Sequence, residues 1–181
     1  MFSWITDIDI NILYYVQDNL RGETLNTVVQ FFTSLGNYGL IWILLTIILI
    51  GYSDTRKVGI KCAVALIFDV ILCNGILKNI VARTRPYDAY ENIRCLLPPQ
   101  VDYSFPSGHT ASSFAVIIPV LMEKDTRFLG KIVLVVAIMM ALSRIYVCVH
   151  YPSDVICGIF VGVLCGMASC YIMNKYVAKN S

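Results

Sequence analysis

Apolar residues run in long blocks along this chain, and the charged residues fall mainly between them. No charge occurs between Glu23 and Asp54, and the most apolar part of that stretch is residues 39–52, beginning near Gly36–Asn37. Residues 24–32 are expected to extend that segment or pack beside it. Further apolar blocks cover residues 57–78, 107–122, 131–147 and 152–173. A crossing helix takes about 20 residues, so the pattern predicts roughly five spans, the third and fourth of them short. Pro119 is expected to kink the third. In residues 1–23, Trp4, Ile5, Ile8, Ile10, Leu13, Tyr14 and Val16 interleave with Asp7, Asp9, Asn11, Gln17 and Asp18. That mixture predicts an amphipathic segment lying at the membrane interface. A sixth span within residues 1–36 would have to bury Asp18, Arg21 or Glu23, which is costly. The expected architecture is all-α, a polytopic transmembrane helical bundle of about five to six spans. It forms one membrane-embedded domain over residues 1–181, with 1–35 as the interfacial segment and 36–175 as the bundle.

Composition agrees with the pattern. Apolar residues make up 57% of the chain and charged ones only 14%, against roughly 25% charged in average soluble domains. Mean hydropathy is +0.70. A net charge of +2 without a basic run excludes nucleic acid as an expected partner. Most of the seven cysteines lie in apolar blocks, so a disulfide framework is not expected; Cys95 alone sits in a polar loop. Residues 1–9 carry acids and no basic stretch, unlike a signal peptide. Arg56, Lys57 and Lys61, then Lys124, Arg127 and Lys131, then Lys175 and Lys179 flank alternate ends of the blocks. Basic flanks face the cytoplasm. Residues 79–106, residues 148–152 and the N-terminal segment are therefore expected outside a cell membrane crossed several times.

Three clusters fall on that outer side. In the first, Lys78 and Arg85 stand seven residues apart, two helical turns, so both would face one way until Pro86 stops the helix. Two such cations suit a phosphate. In the second, Ser104-Phe-Pro-Ser-Gly-His109, Ser107 is a natural N-cap and Gly108 lets a ligand approach the backbone. Free N–H groups at a helix start bind anions, and His109 would stand beside one. In the third, Arg144 precedes His150 and Asp154 follows it by four residues. The Asp154 carboxylate is expected to accept a hydrogen bond from one imidazole nitrogen and leave the other free to attack. Each cluster has a plainer use as an interfacial basic flank, a helix cap or a solvated histidine. Their concurrence on one face, with the chain's only two histidines, favours a shared site.

The three clusters together resemble the tripartite signature of the type 2 phosphatidic acid phosphatase superfamily, the lipid phosphate phosphatases: K-x6-R-P, P-S-G-H and S-R-x5-H-x3-D. These are Lys78 to Pro86, Pro106 to His109 and Ser143 to Asp154, with every fixed position matched. The resemblance implies a phosphatase in which His150 attacks phosphorus and forms a phosphohistidine. Asp154 would orient His150, and His109 would protonate the leaving oxygen and then help activate water. Lys78, Arg85, Arg144, Ser107 and Gly108 would hold the phosphoryl oxygens. No metal ligand set is visible near these residues, so no cofactor is expected. The family commonly has six spans, and this chain replaces or lacks the first.

The expected substrate is a membrane-lipid phosphate or diphosphate: undecaprenyl diphosphate first, with phosphatidylglycerophosphate or phosphatidate as the alternative. An inactive member that binds or transports lipid is the reading from another class. Asp69 stands mid-block, nine residues from Lys78 and so on roughly the opposite face of an α-helix. A buried hydrogen bond to a neighbouring helix is expected there. Arg83 is expected to aid headgroup binding, and Arg94 to belong to a lid over residues 87–105. Gly158, Gly162 and Gly166 recur every fourth residue and predict a close helix–helix contact, within the chain or in a dimer.

Overall fold

The computed structural model describes residues 3–180, which form helices and connecting loops without a strand. The helices are α1 (Ser3–Asn19), α2 (Glu23–Ser34), α3 (Leu40–Gly51), α4 (Arg56–Asp69), α5 (Lys78–Val81), α6 (Pro86–Ala89), α7 (Gly108–Met122), α8 (Arg127–Tyr146) and α9 (Pro152–Asn180). A 3-10 turn, Asn37–Gly39, links α2 to α3, and a π-helix, Val70–Leu77, links α4 to α5.

Three helical segments are long and apolar enough to cross a membrane: Arg56–Ala89, Arg127–Tyr146 and Pro152–Lys179. Glu23–Ser34 and Asn37–Gly51 make a fourth if the pair, bent by 46°, is one broken span. Residues 24–32 therefore lie in a helix of their own, set at a bend to the first block. The bend lies where Tyr38 and Gly39 adopt positive φ (55° and 71°). α7 is apolar but only 15 residues long and runs unbroken through Pro119. α8 begins at Arg127, one turn before the block drawn from the sequence. α9 continues beyond residue 173.

α7 is the packing axis, buried from Thr110 through Ile117 and again at Pro119 and Val120, against α9, α8 and α4. The glycine stripe of α9 makes this possible. A Cβ on Gly162 would come within 2.3 Å of the Ala111 carbonyl, one on Gly158 within 2.8 Å of the Ser107 carbonyl, and one on Gly166 within 2.6 Å of Ile118. The stripe serves packing within the chain. Outward faces carry Ile47, Phe128, Ile132, Phe160 and Leu164, exposed as a lipid-facing surface requires. The α3–α4 and α7–α8 turns close alike: Thr55 Oγ1 donates to the Leu49 carbonyl and Thr126 Oγ1 to that of Val120, both at 2.8 Å. Lys61 of α4 pairs with Glu123 at the end of α7.

The N-terminal segment is a 17-residue amphipathic helix. It buries Ile10 and Leu13 against Ile93, Cys148 and Tyr151, while Trp4, Ile8 and Tyr15 stay exposed.

Candidate active site

A cavity of about 580 Å³ opens among α2, the 3-10 turn, the π-helix, α7, α8 and the 97–102 loop. Lys78, Arg85, Gly108, His109, Arg144 and His150 all line it; Ser107 and Asp154 do not. Lys78 and Arg85 meet by a route other than one continuous helix. The helix ends at Val81, Ala82 turns back at φ 46°, and Arg85 stands in extended backbone ahead of α6. Pro86 thus opens a helical turn instead of stopping one, as suits a residue without an N–H.

The π-helix corrects the placement of Asp69. A π-helix, with its i→i+5 bonds, takes more residues per turn than an α-helix, and Asp69, Asn74 and Lys78 share the cavity wall. Asp69 is 2% exposed, and its Oδ1 makes no hydrogen bond. The hydrogen bond to a neighbouring helix expected for it is absent there, because the π register turns the carboxyl toward the cavity and away from a helix partner.

His150 lies in the short link between α8 and α9 and is 2% exposed. Cys148 turns there with φ 55°, Leu96 N donates to the Val147 carbonyl at 3.1 Å, and Arg85 Nη1 donates to that of Val149 at 2.8 Å. Imidazole Nε2 lies 3.5 Å from Arg85 Nη1. Nδ1 lies 3.7 Å from Asp154 Oδ2, too long for the expected hydrogen bond. Ser104 Oγ lies beside both, donating to Asp154 Oδ2 at 2.5 Å and standing 3.5 Å from Nδ1. Burial draws the His150 pKa down; Asp154 opposes this, Arg85 and Arg144 reinforce it, and it falls to about 4. The ring is neutral at pH 7.

Asp154 is fully buried and held from every side. Arg83 Nη1 donates to Oδ1 at 2.6 Å and the Tyr151 N–H to Oδ2 at 3.1 Å. Arg83 also donates to Asp9 at 2.9 Å and to Ser153 at 2.8 Å, and its guanidinium stacks 3.6 Å from the Tyr151 ring centre. Arg83 is therefore committed to Asp154, against its expected use on a headgroup. Asp9, from the N-terminal helix, completes this cluster; the sequence pattern assigned it no task.

Ser107 occupies the N-cap position of α7, yet its side chain makes no capping bond and accepts from Thr110 Oγ1 at 3.0 Å. Its part in the cavity is limited to the helix start it precedes. Gly108 does line the cavity, and a Cβ there would meet Asn74 Oδ1 at 3.2 Å. His109 Nε2 lies 3.1 Å from Asn37 Oδ1. Gly36 packs on the His109 ring so closely that a Cβ would come within 2.6 Å of Cδ2. The sequence pattern marked Gly36 and Asn37 only as the start of an apolar block. Arg144 is 1% exposed; Nη1 donates to Thr33 Oγ1 at 2.7 Å, and Nε has no partner. A buried, unsatisfied guanidinium nitrogen is a costly feature unless an anion meets it.

One carboxylate already meets the other two cations. Asp102 pairs through Oδ2 with Lys78 and through Oδ1 with Arg85 Nη2 at 2.5 Å, while Arg85 Nε donates to the Asp102 carbonyl at 2.9 Å. Partial burial would raise the Asp102 pKa; the hydrogen bond and charge of Lys78, with Arg85, override it and hold the carboxyl at about 2. The loop expected as a lid is pinned over much of its length. Gln17 bonds Asn92 and Arg94, Arg21 bonds the Arg94 carbonyl, and Gln30 bonds that of Leu96. Arg94 takes part through its backbone. Among the described residues no cluster of His, Cys, Asp or Glu is arranged to hold a metal ion.

A helical bundle with three cations and two histidines around one cavity defines a class, and comparison with known proteins agrees. The PAP2 superfamily profile matches residues 59–178. An undecaprenyl-diphosphatase of Sulfolobus acidocaldarius is 33% identical over 141 residues, covering 77% of this chain and 66% of that protein. Phosphatidylglycerophosphatase B of Bacillus subtilis is 32% identical over 155 residues, 80% of this chain and 73% of that one. The crystal structure of LpxE from Aquifex aeolicus superposes with a TM-score of 0.77 at 26% identity, over 94% of this chain and 96% of the other. The chain belongs to the PAP2 superfamily and is a membrane-embedded phosphatase.

Proposed function

We propose that this phosphatase removes the terminal phosphate of a membrane lipid through a phosphohistidine on His150, with undecaprenyl diphosphate as the substrate. The observation that carries the reading is the environment of His150: a neutral ring with Nδ1 turned toward Asp154 and Ser104 and Nε2 toward Arg85 in the cavity. That tautomer follows from the carboxylate beside Nδ1. Nε2 then attacks phosphorus in line, the bond to the lipid oxygen breaks, and His109 supplies the proton to that oxygen. Water next attacks the phosphohistidine, giving its proton to His109, and phosphate leaves. Lys78, Arg85, Arg144 and the α7 start at Gly108 stabilise the phosphoryl charge, which is most of what such a transfer requires.

The choice of lipid is supported by the undecaprenyl-diphosphatase relatives from Sulfolobus acidocaldarius and Bacillus subtilis. Phosphatidylglycerophosphate is the second reading, favoured by the phosphatidylglycerophosphatase B relative. The basic flanks favour a cavity on the extracytoplasmic side of the cell membrane. Phosphate release by purified protein from undecaprenyl diphosphate, phosphatidylglycerophosphate and phosphatidate tests the reading. The prenyl diphosphate should give the highest kcat/KM, and His150→Ala should lower it at least about a thousandfold. Preference for a glycerolipid would overturn the substrate, and no release from any would favour an inactive lipid-binding member.

A further inference from the structure

Asp102 lies outside the three signature clusters, yet it takes the place in which a phosphate is expected. Its carboxylate spans Lys78 and Arg85, and its side chain is 48% exposed. It stands in a loop segment without secondary structure, next to the fully exposed Val101. The loop is anchored on either side, at Leu96 to the Val147 carbonyl and at Ser104 to that of Arg83. Between these anchors the Gln100 N–H donates to the Tyr87 hydroxyl and Arg85 donates to the Asp102 and Tyr103 carbonyls, so displacement concerns the half-exposed Asp102 side chain and not the backbone of the loop. Any anion that reaches the two cations must displace this carboxylate.

The displacement is selective by stereochemistry. A carboxylate has two oxygens and one charge, enough for Lys78 and Arg85. It leaves Arg144 Nε buried and unpartnered on the same cavity wall. A phosphate end group has three terminal oxygens and about −1.5 to −2 charge at pH 7. It can satisfy all three cations and so outcompetes the carboxylate. A phosphodiester has two terminal oxygens and one charge, the same endowment as Asp102, with a second substituent to house. Asp102 also competes from within the chain, at the high effective concentration that a short tether confers. Phosphodiesters are the common headgroup linkage of a phospholipid bilayer, so an undefended cradle would face them in excess. Specificity of this kind needs an element that disfavours the wrong ligand.

We propose that Asp102 is a specificity-determining residue: its carboxylate competes for the Lys78–Arg85 cradle, so that a terminal phosphate displaces it and the phosphodiesters of the surrounding bilayer do not. This rests on the phosphatase reading of the cavity but not on which lipid is hydrolysed. The test uses the full chain in detergent, with Asp102→Ala and Asp102→Asn. Inorganic phosphate binding by calorimetry reads the cradle independently of turnover. Inhibition of phosphomonoester hydrolysis by dioctanoyl phosphatidylglycerol, a soluble phosphodiester, reads the discrimination. Both variants should bind phosphate about tenfold tighter, show a lower KM and become inhibited by the diester at concentrations the unaltered protein tolerates. Weaker phosphate binding in both variants would show that Asp102 positions the cations, and would overturn the proposal. Tighter phosphate binding with equal diester inhibition of all three proteins would overturn it too, by separating competition from selectivity. If the phosphatase reading itself failed, phosphate would bind none of them.

Discussion

At the scale of single residues, the site depends on how one carboxylate is shared. Asp154 accepts from Arg83, Ser104 and the Tyr151 N–H while lying 3.7 Å from His150. Ser104 is therefore a positioning residue, and Ser104→Ala should lower kcat about tenfold with KM little changed; an equal rise in KM instead would point to a role in binding. The pH dependence follows from the His150 pKa of about 4. This lies below the unperturbed value near 6.5, so the nucleophile of the free enzyme is neutral above about pH 4 and protonates below it. The acid limb of kcat/KM should accordingly fall near pH 4 to 5. An acid limb at pH 6.5 or above would show that His150 is not buried as described. The signature positions were legible because each has few chemical uses: paired cations, a helix start, a histidine followed by an acid. Ser104, Thr33, Asn37, Asp9 and Asp102 were not, since their tasks come from contacts between distant parts of the chain.

At the scale of elements, apolar blocks located the helices, but their local geometry was hidden. Nothing in residues 70–77 distinguishes a π-helix from an α-helix by hydrophobic pattern, and that difference moves Asp69 onto the Lys78 wall. The turn at Ala82 is equally silent, because alanine carries no preference for positive φ. Deleting Gly75 should shorten the π segment and rotate Lys78 away from the cavity. Activity should drop at least about a hundredfold while the protein still purifies folded, since a π-helix departs locally from the α ladder. Retained activity would mean that the register is not needed. The glycine stripe, by contrast, was legible from spacing alone. Gly162→Ala should destabilise the α7–α9 contact by about 1–3 kcal/mol, because its Cβ would meet the Ala111 carbonyl at 2.3 Å. A thermal melt in detergent checks this, and an unchanged midpoint would argue against the close approach.

At the scale of the whole molecule, the bundle leaves lipid-facing side chains outside and gathers cations around one cavity. The sequence conveyed that plan but not the bend between α2 and α3, which positions Asn37 and Gly36 against His109. With Lys78, Arg85 and Arg144 supplying positive charge, hydrolysis should persist in excess chelator; loss restored by a divalent ion would contradict that expectation. The central claim is that His150 carries the phosphoryl group. It is tested most directly by rapidly quenching the enzyme with ³²P-labelled lipid substrate in alkali, where phosphohistidine survives, and mapping the label. The account predicts label on His150 that vanishes on acid treatment and is absent from His150→Ala. Label on another residue, or turnover by His150→Ala at the rate of the unaltered protein, would contradict it.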